Sequence, residues 1–84
     1  MAGYAYALGE EAVRAFTSLP SNQRSQLLRA FDSLTRLPHQ KGDYREAGAS
    51  GRIYEIKLID ETLVTWWIDH AAKEVRIVRV ESVE

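Results

Sequence analysis

The C-terminal part of the chain carries three runs rich in β-branched and aromatic residues: "RIYEIKLI", "TLVTWWID" and "EVRIVRVESV". Only Asp60-Glu61 separates the first two, and only "HAAK" separates the second from the third. Strands joined by so few residues have no room for a crossover, so they must pair antiparallel as a meander. Neighbouring side chains on a strand point to opposite faces, so Trp66 and Trp67 cannot both face the same layer. One is expected to pack beneath whatever covers the sheet, and the other to lie on the far face. Apolar residues fall on both parities of these runs: Tyr54, Ile56 and Leu58 on one, Ile53 and Ile59 on the other. A sheet with one bare face alternates more cleanly, so the far face is expected to be partly covered by a loop, the C-terminus, a second copy or another chain.

The covering layer lies upstream. "YAYAL" alternates large and small residues as a short first strand, and Gly9 breaks it. Glu10 and Glu11 suit the positive end of a helix, and Ala12, Val13, Phe16 and Leu19 recur at helical spacing. Pro20 ends that helix. Ser21 or Asn22 is placed to cap a second helix, whose apolar stripe is Leu27, Leu28, Phe31, Leu34 and Leu37, closed by Pro38. Residues 39–51, polar and rich in Gly and Ala, read as a loop. The expected fold is α+β and two-layered: an N-terminal strand and a helical hairpin packed on an antiparallel meander, one domain over 1–84.

Composition limits the rest. A chain of 84 residues buries roughly 60% of its unfolded surface. It has no cysteine for a staple. The start, "MAGYAYALGEE", has no basic n-region or long apolar stretch, and no run of about 18 apolar residues exists. A cytoplasmic protein without a membrane span is therefore expected. A formal net charge of −1 gives no global attraction to nucleic acid.

Local chemistry offers a few candidates. Arg52, Lys57, Arg76 and Arg79 sit on the strands, where they read as a phosphate-binding patch or as solubilising charges. On regular strands Arg76 and Arg79, three apart, point to opposite faces. Asp69-His70 reads as an acid–base pair or as a turn Asp beside a solvated His; His39 reads as a loop residue. Tyr54 shares its parity with Ile56 and Leu58 and reads as core. Two isolated His and scattered carboxylates lack metal-ligand spacing, and "GASG" lacks a phosphate-loop Lys, so neither metal nor cofactor is expected.

In order and in local text, the chain resembles the RelE/ParE superfamily of small toxins from bacterial toxin–antitoxin operons. "LGEEAVRAFTSLPSNQRSQLLRAFDSLTRLP" is similar to that family's opening helical hairpin, and "GRIYEIKLIDETLVTWWIDHAAKEVRIVRV" to its meander. The resemblance implies a curved sheet with two N-terminal helices, a cognate antitoxin as partner, and an intracellular target. For RelE-like members that target is ribosome-bound mRNA, cut without a metal; for ParE-like members it is DNA gyrase, inhibited without nuclease chemistry. On the nuclease reading, Arg52, Lys57 and Arg76 are the expected phosphate-stabilising residues and His70 the candidate for proton transfer. Two positions depart from the nuclease pattern: Leu63 stands where many members have Arg, and "VESVE" lacks their late Tyr or His. Three expectations therefore stand together: an mRNA endonuclease, a gyrase inhibitor, and a silent homologue that only binds its antitoxin.

Overall fold

The computed structural model describes residues 3–83; Met1, Ala2 and Glu84, at the ends of the expected domain, lie outside the described residues. The chain runs β1 (Ala5–Leu8), α1 (Glu10–Thr17), α2 (Ser21–Arg36), β2 (Tyr44–Ala47), β3 (Ile53–Ile59), β4 (Thr62–Asp69) and β5 (Glu74–Ser82). One sheet holds all five strands in the order β1-β5-β4-β3-β2, and both helices cover the same face. The α+β, two-layer class expected from the sequence holds. No helix among the described residues is long and apolar enough to cross a membrane.

Two features of the sheet correct the expectation. First, β1 pairs with β5 in parallel, Ala5 opposite Glu74 and Leu8 opposite Ile77, so the sheet is mixed. The chain leaves β1 through the helical hairpin, returns at the opposite edge, and zigzags back until β5 lies beside β1. Second, the loop read over residues 39–51 contains β2, which pairs antiparallel with β3. All four of its residues are exposed, so this short edge strand has no apolar alternation to betray it.

The core follows the helical period. Leu27, Phe31 and Leu34 are buried on α2, with Ala12 from α1, against Val64, Trp66, Val75, Ile77 and Val80. Leu28 and Leu37, expected in the same stripe, are exposed. Leu28 stands one residue, about 100°, off the buried ridge, and Leu37 lies past the helix end. α2 begins behind Pro20 with no side-chain cap, so Ser21 is its first helical residue and neither Ser21 nor Asn22 caps it. Asp60 and Lys73 take left-handed backbone angles in the turns after β3 and β4, with φ of 59° and 56°.

The most consequential irregularity lies between β4 and β5. Thr65 pairs with Arg79, but the next residue, Trp66, pairs with Ile77, which leaves Val78 as the extra residue of a bulge. The bulge resets the parity of β5: Ile77 and Val80 both face the helices, whereas Arg76 and Arg79 both pair with far-face residues, Trp67 and Thr65. The regular-strand expectation, which put these arginines on opposite faces, is therefore corrected.

Gly42 fixes how the chain enters β2. A Cβ there would stand 2.5 Å from the Ile56 carbonyl oxygen and 2.8 Å from its nitrogen, both backbone atoms that cannot swing aside. Gly42→Ala is expected to cost about 1–3 kcal/mol through overpacking. Urea unfolding checks this: the midpoint should fall with an unchanged slope.

Candidate functional site

Trp66 and Trp67 divide as their parity requires. Trp66 is wholly buried beneath the helices. Trp67 is half-buried on the far face, with the Arg52 guanidinium 3.7 Å above its ring centroid and that of Arg76 5.7 Å away. Cation–π attraction holds such contacts.

Two local devices bring these cations together. The β2–β3 turn is tight: the Gly48 N–H donates to the Arg52 carbonyl at 2.7 Å, and Gly51 adopts φ 83°. A Cβ on Gly48 would come within 2.7 Å of the Tyr54 ring, so glycine lets that ring lie against the turn. Arg52 therefore leaves the turn at the edge of the far face. Arg76 is held beside the β4–β5 turn by two ion pairs, with Asp69 Oδ2 3.6 Å from its Nε and Glu74 Oε1 2.9 Å from its Nη2. Asp69 also serves the turn itself, its Oδ1 accepting the Ala72 N–H at 3.1 Å.

Arg79 completes the face. It lines a depression of about 320 Å³ with Glu11, Glu46, Tyr54, Thr65 and Val78. Val78 also lines a second depression, of about 270 Å³, with Arg52, Trp67 and Arg76. A third shares Arg52 and Trp67 and ends at His70. The first two form one track across the far face of the sheet, and the third leads from it around the sheet's end, where Ile53, Glu55 and Ile68 have the helix-facing parity. The track's charges differ in freedom. Arg76 is paired with two carboxylates, while Arg52 and Arg79 make no ion pair among the described residues.

The expected site residues thus separate. Arg52 and Arg76 meet at Trp67. Lys57 does not join them: it pairs with Val64 on the helix-facing side and lines a cavity beneath α2. His70 stands at the end of the track, where its Nδ1 bonds the Tyr4 hydroxyl at 2.8 Å and its ring stacks on His39, centroids 5.4 Å apart. The two histidines, read from sequence as unrelated, are neighbours. Tyr54, expected in the core, lies on the far face with Arg79, because β3 turns its odd-numbered residues toward the helices. Glu46 was hidden in the unrecognised β2, and Arg79 was separated from Arg76 by a parity that the bulge reverses. Among the described residues no three His, Asp or Glu side chains converge as a metal site.

This arrangement of strands and helices has known counterparts. A chain of the archaeal RelE–RelB complex from Pyrococcus horikoshii superposes with a TM-score of 0.74 at 19% identity, over 95% of this chain and 94% of that one. A chain of the RelBE2 toxin–antitoxin complex from Mycobacterium tuberculosis gives 0.75 at 20% identity, over 96% and 99%. The fold is RelE-like. The match runs nearly end to end in both directions. No protein-family profile matches the sequence, and no curated protein matches it.

Proposed function

We propose that the chain is the toxin of a toxin–antitoxin pair and acts as a metal-independent endonuclease on ribosome-bound mRNA. The observation that carries this reading is the far-face track, where a bulge and a glycine turn set Arg52 and Arg76 at Trp67 and place Arg79 on the same face opposite Thr65, on a RelE-like sheet. A single strand fits such a surface: aromatic faces accept bases, and guanidinium groups accept phosphates. Arg52 and Arg79, free of ion pairs, bind successive phosphates on either side of Trp67. In the cleavage step the ribose 2′-oxygen attacks the adjacent phosphorus and the 5′-oxygen leaves, taking a proton from solvent water to become the 5′-hydroxyl, and the other product ends in a 2′,3′-cyclic phosphate. Arg79 stabilises the charge that develops on phosphorus. Glu46, in the same depression, takes the 2′-hydroxyl proton. Arg76 supports Trp67 from the turn, and His70 closes the end of the track. Lys57 has no part in this chemistry. The partner is a cognate antitoxin, as both matched structures are such complexes.

A second reading, inhibition of a protein target such as DNA gyrase, is favoured by one observation. Asp69, Glu74, Glu46 and Glu11 are interleaved with the three arginines, and this mixture suits a protein surface as well as RNA. Expression without the antitoxin separates the two. The nuclease reading expects growth arrest with new transcript ends by primer extension. Arrest with intact transcripts and induced DNA-damage signalling would favour the protein target.

A further inference from the structure

The indole on the far face is not a bare platform. The Arg52 guanidinium carbon stands 3.7 Å from the Trp67 ring centroid, which is contact distance, so the ring face it lies on is covered. Trp67 is half-buried as well, and the Arg76 guanidinium is 5.7 Å from the same centroid. Arg52 and Trp67 together line two depressions, of about 270 and 630 Å³, so their stack is a wall that the two share.

The two cations are held differently. Arg76 is tied by ion pairs to Asp69 and Glu74. The exposed Arg52 guanidinium makes no ion pair and no hydrogen bond among the described residues, so its N–H donors are unspent and the ring is its one recorded contact. Its backbone is fixed, because the Arg52 carbonyl accepts the Gly48 N–H at 2.7 Å across the turn. Only the side chain is left free to move. An exposed cation–π contact is weak, and a two-pronged guanidinium–phosphate pair is stronger.

We propose that Arg52 is a specificity-determining gate: it covers Trp67 in the free chain and leaves the ring for a phosphodiester, so that a base stacks there only when it arrives joined to a phosphate. The gate rests on the reading of the far face as an RNA surface. A free nucleoside must displace Arg52 and offers the guanidinium no anion in return. A dinucleotide supplies both an acceptor for the cation and a base for the uncovered ring.

Adenosine and the adenine deoxydinucleotide, which has no 2′-hydroxyl and stays uncut, are the probes. The readouts in a ¹H–¹⁵N spectrum are the Trp67 Nε1–H and Arg52 Nε–H signals, assigned with Trp67→Phe and Arg52→Lys. In the free chain the indole ring current should displace the Arg52 signal. Saturation with the dinucleotide should return it toward the ordinary arginine position while the Trp67 signal shifts. Arg52→Ala should bind the dinucleotide about tenfold more weakly and adenosine severalfold more tightly. If Arg52→Ala fails to fold, the Arg52 signal of the unaltered chain decides. An Arg52 signal that stays displaced with dinucleotide bound, or adenosine binding that Arg52→Ala weakens or leaves unchanged, would overturn the gate and leave the RNA surface standing. No saturable binding of the dinucleotide to the unaltered chain would remove the RNA surface and the gate with it.

Discussion

Trp66→Ala is expected to unfold a large part of the population at temperatures where Trp67→Ala leaves the chain folded. The two residues are neighbours of one type on one strand, and only their faces differ. Trp66 is fully buried with Val64, Val75 and Ile77 around it and the α2 ridge above. Removing so large a buried ring costs about 3–5 kcal/mol. A domain of this length is stable by only about 4–13 kcal/mol, and each kcal/mol moves the melting temperature by roughly 4–8 °C. A fall on the order of 20 °C is therefore expected for Trp66→Ala. Trp67 is half-buried and held mainly through Arg52 and Arg76, contacts that contribute about 1–2 kcal/mol together. Thermal unfolding followed by circular dichroism checks the difference. Equal losses from the two variants would contradict the division of faces.

Arg79→Ala is expected to reduce RNA cleavage about a hundredfold or more while the fold stays intact. The side chain is exposed, so its removal disturbs no core. A preorganised cation facing charge that develops in a transition state contributes on the order of 10²–10³ in rate. Arg79→Lys keeps the charge but loses the planar fork that matches a phosphate, so it should recover only part of the activity. Arg76→Ala should cost less than Arg79→Ala, because Asp69 and Glu74 already offset the charge of Arg76. Cleavage assays on purified variants give this order directly. Arg76→Ala proving far worse than Arg79→Ala would contradict the assignment of the freer cation to the phosphate.

Much of this architecture can be read from the residues. The three β-rich runs and their short turns fix the meander, and the 27, 31 and 34 spacing marks the ridge that covers it. The split between Trp66 and Trp67 follows from strand geometry alone. What escapes the sequence has physical causes. β2 is too short and too exposed to show alternation, and its strand character comes from pairing with β3. The parallel partner of β1 depends on which edge the chain returns to, a long-range matter. Above all, nothing in "VRIVRV" announces that Val78 is an extra residue. Without the bulge, Arg76 and Arg79 stand on opposite faces and the track does not exist. His39 and His70 meet only because the segment after α2 and the β4–β5 turn converge at one end of the sheet. Lys57 shows the converse: a basic residue on a promising strand that register directs beneath the helices.

The most direct test of the far-face track as an RNA-cleaving surface is cleavage in a defined system. Purified chain is added to ribosomes programmed with a short mRNA in the presence of a chelator that still leaves the ribosomes assembled, and the 3′ ends of the products are analysed. The track predicts cleavage that yields 2′,3′-cyclic phosphate ends, lost in Arg79→Ala and in Glu46→Gln and retained in Lys57→Met. Intact mRNA with the unaltered chain, or cleavage that survives Arg79→Ala but not Lys57→Met, would contradict it.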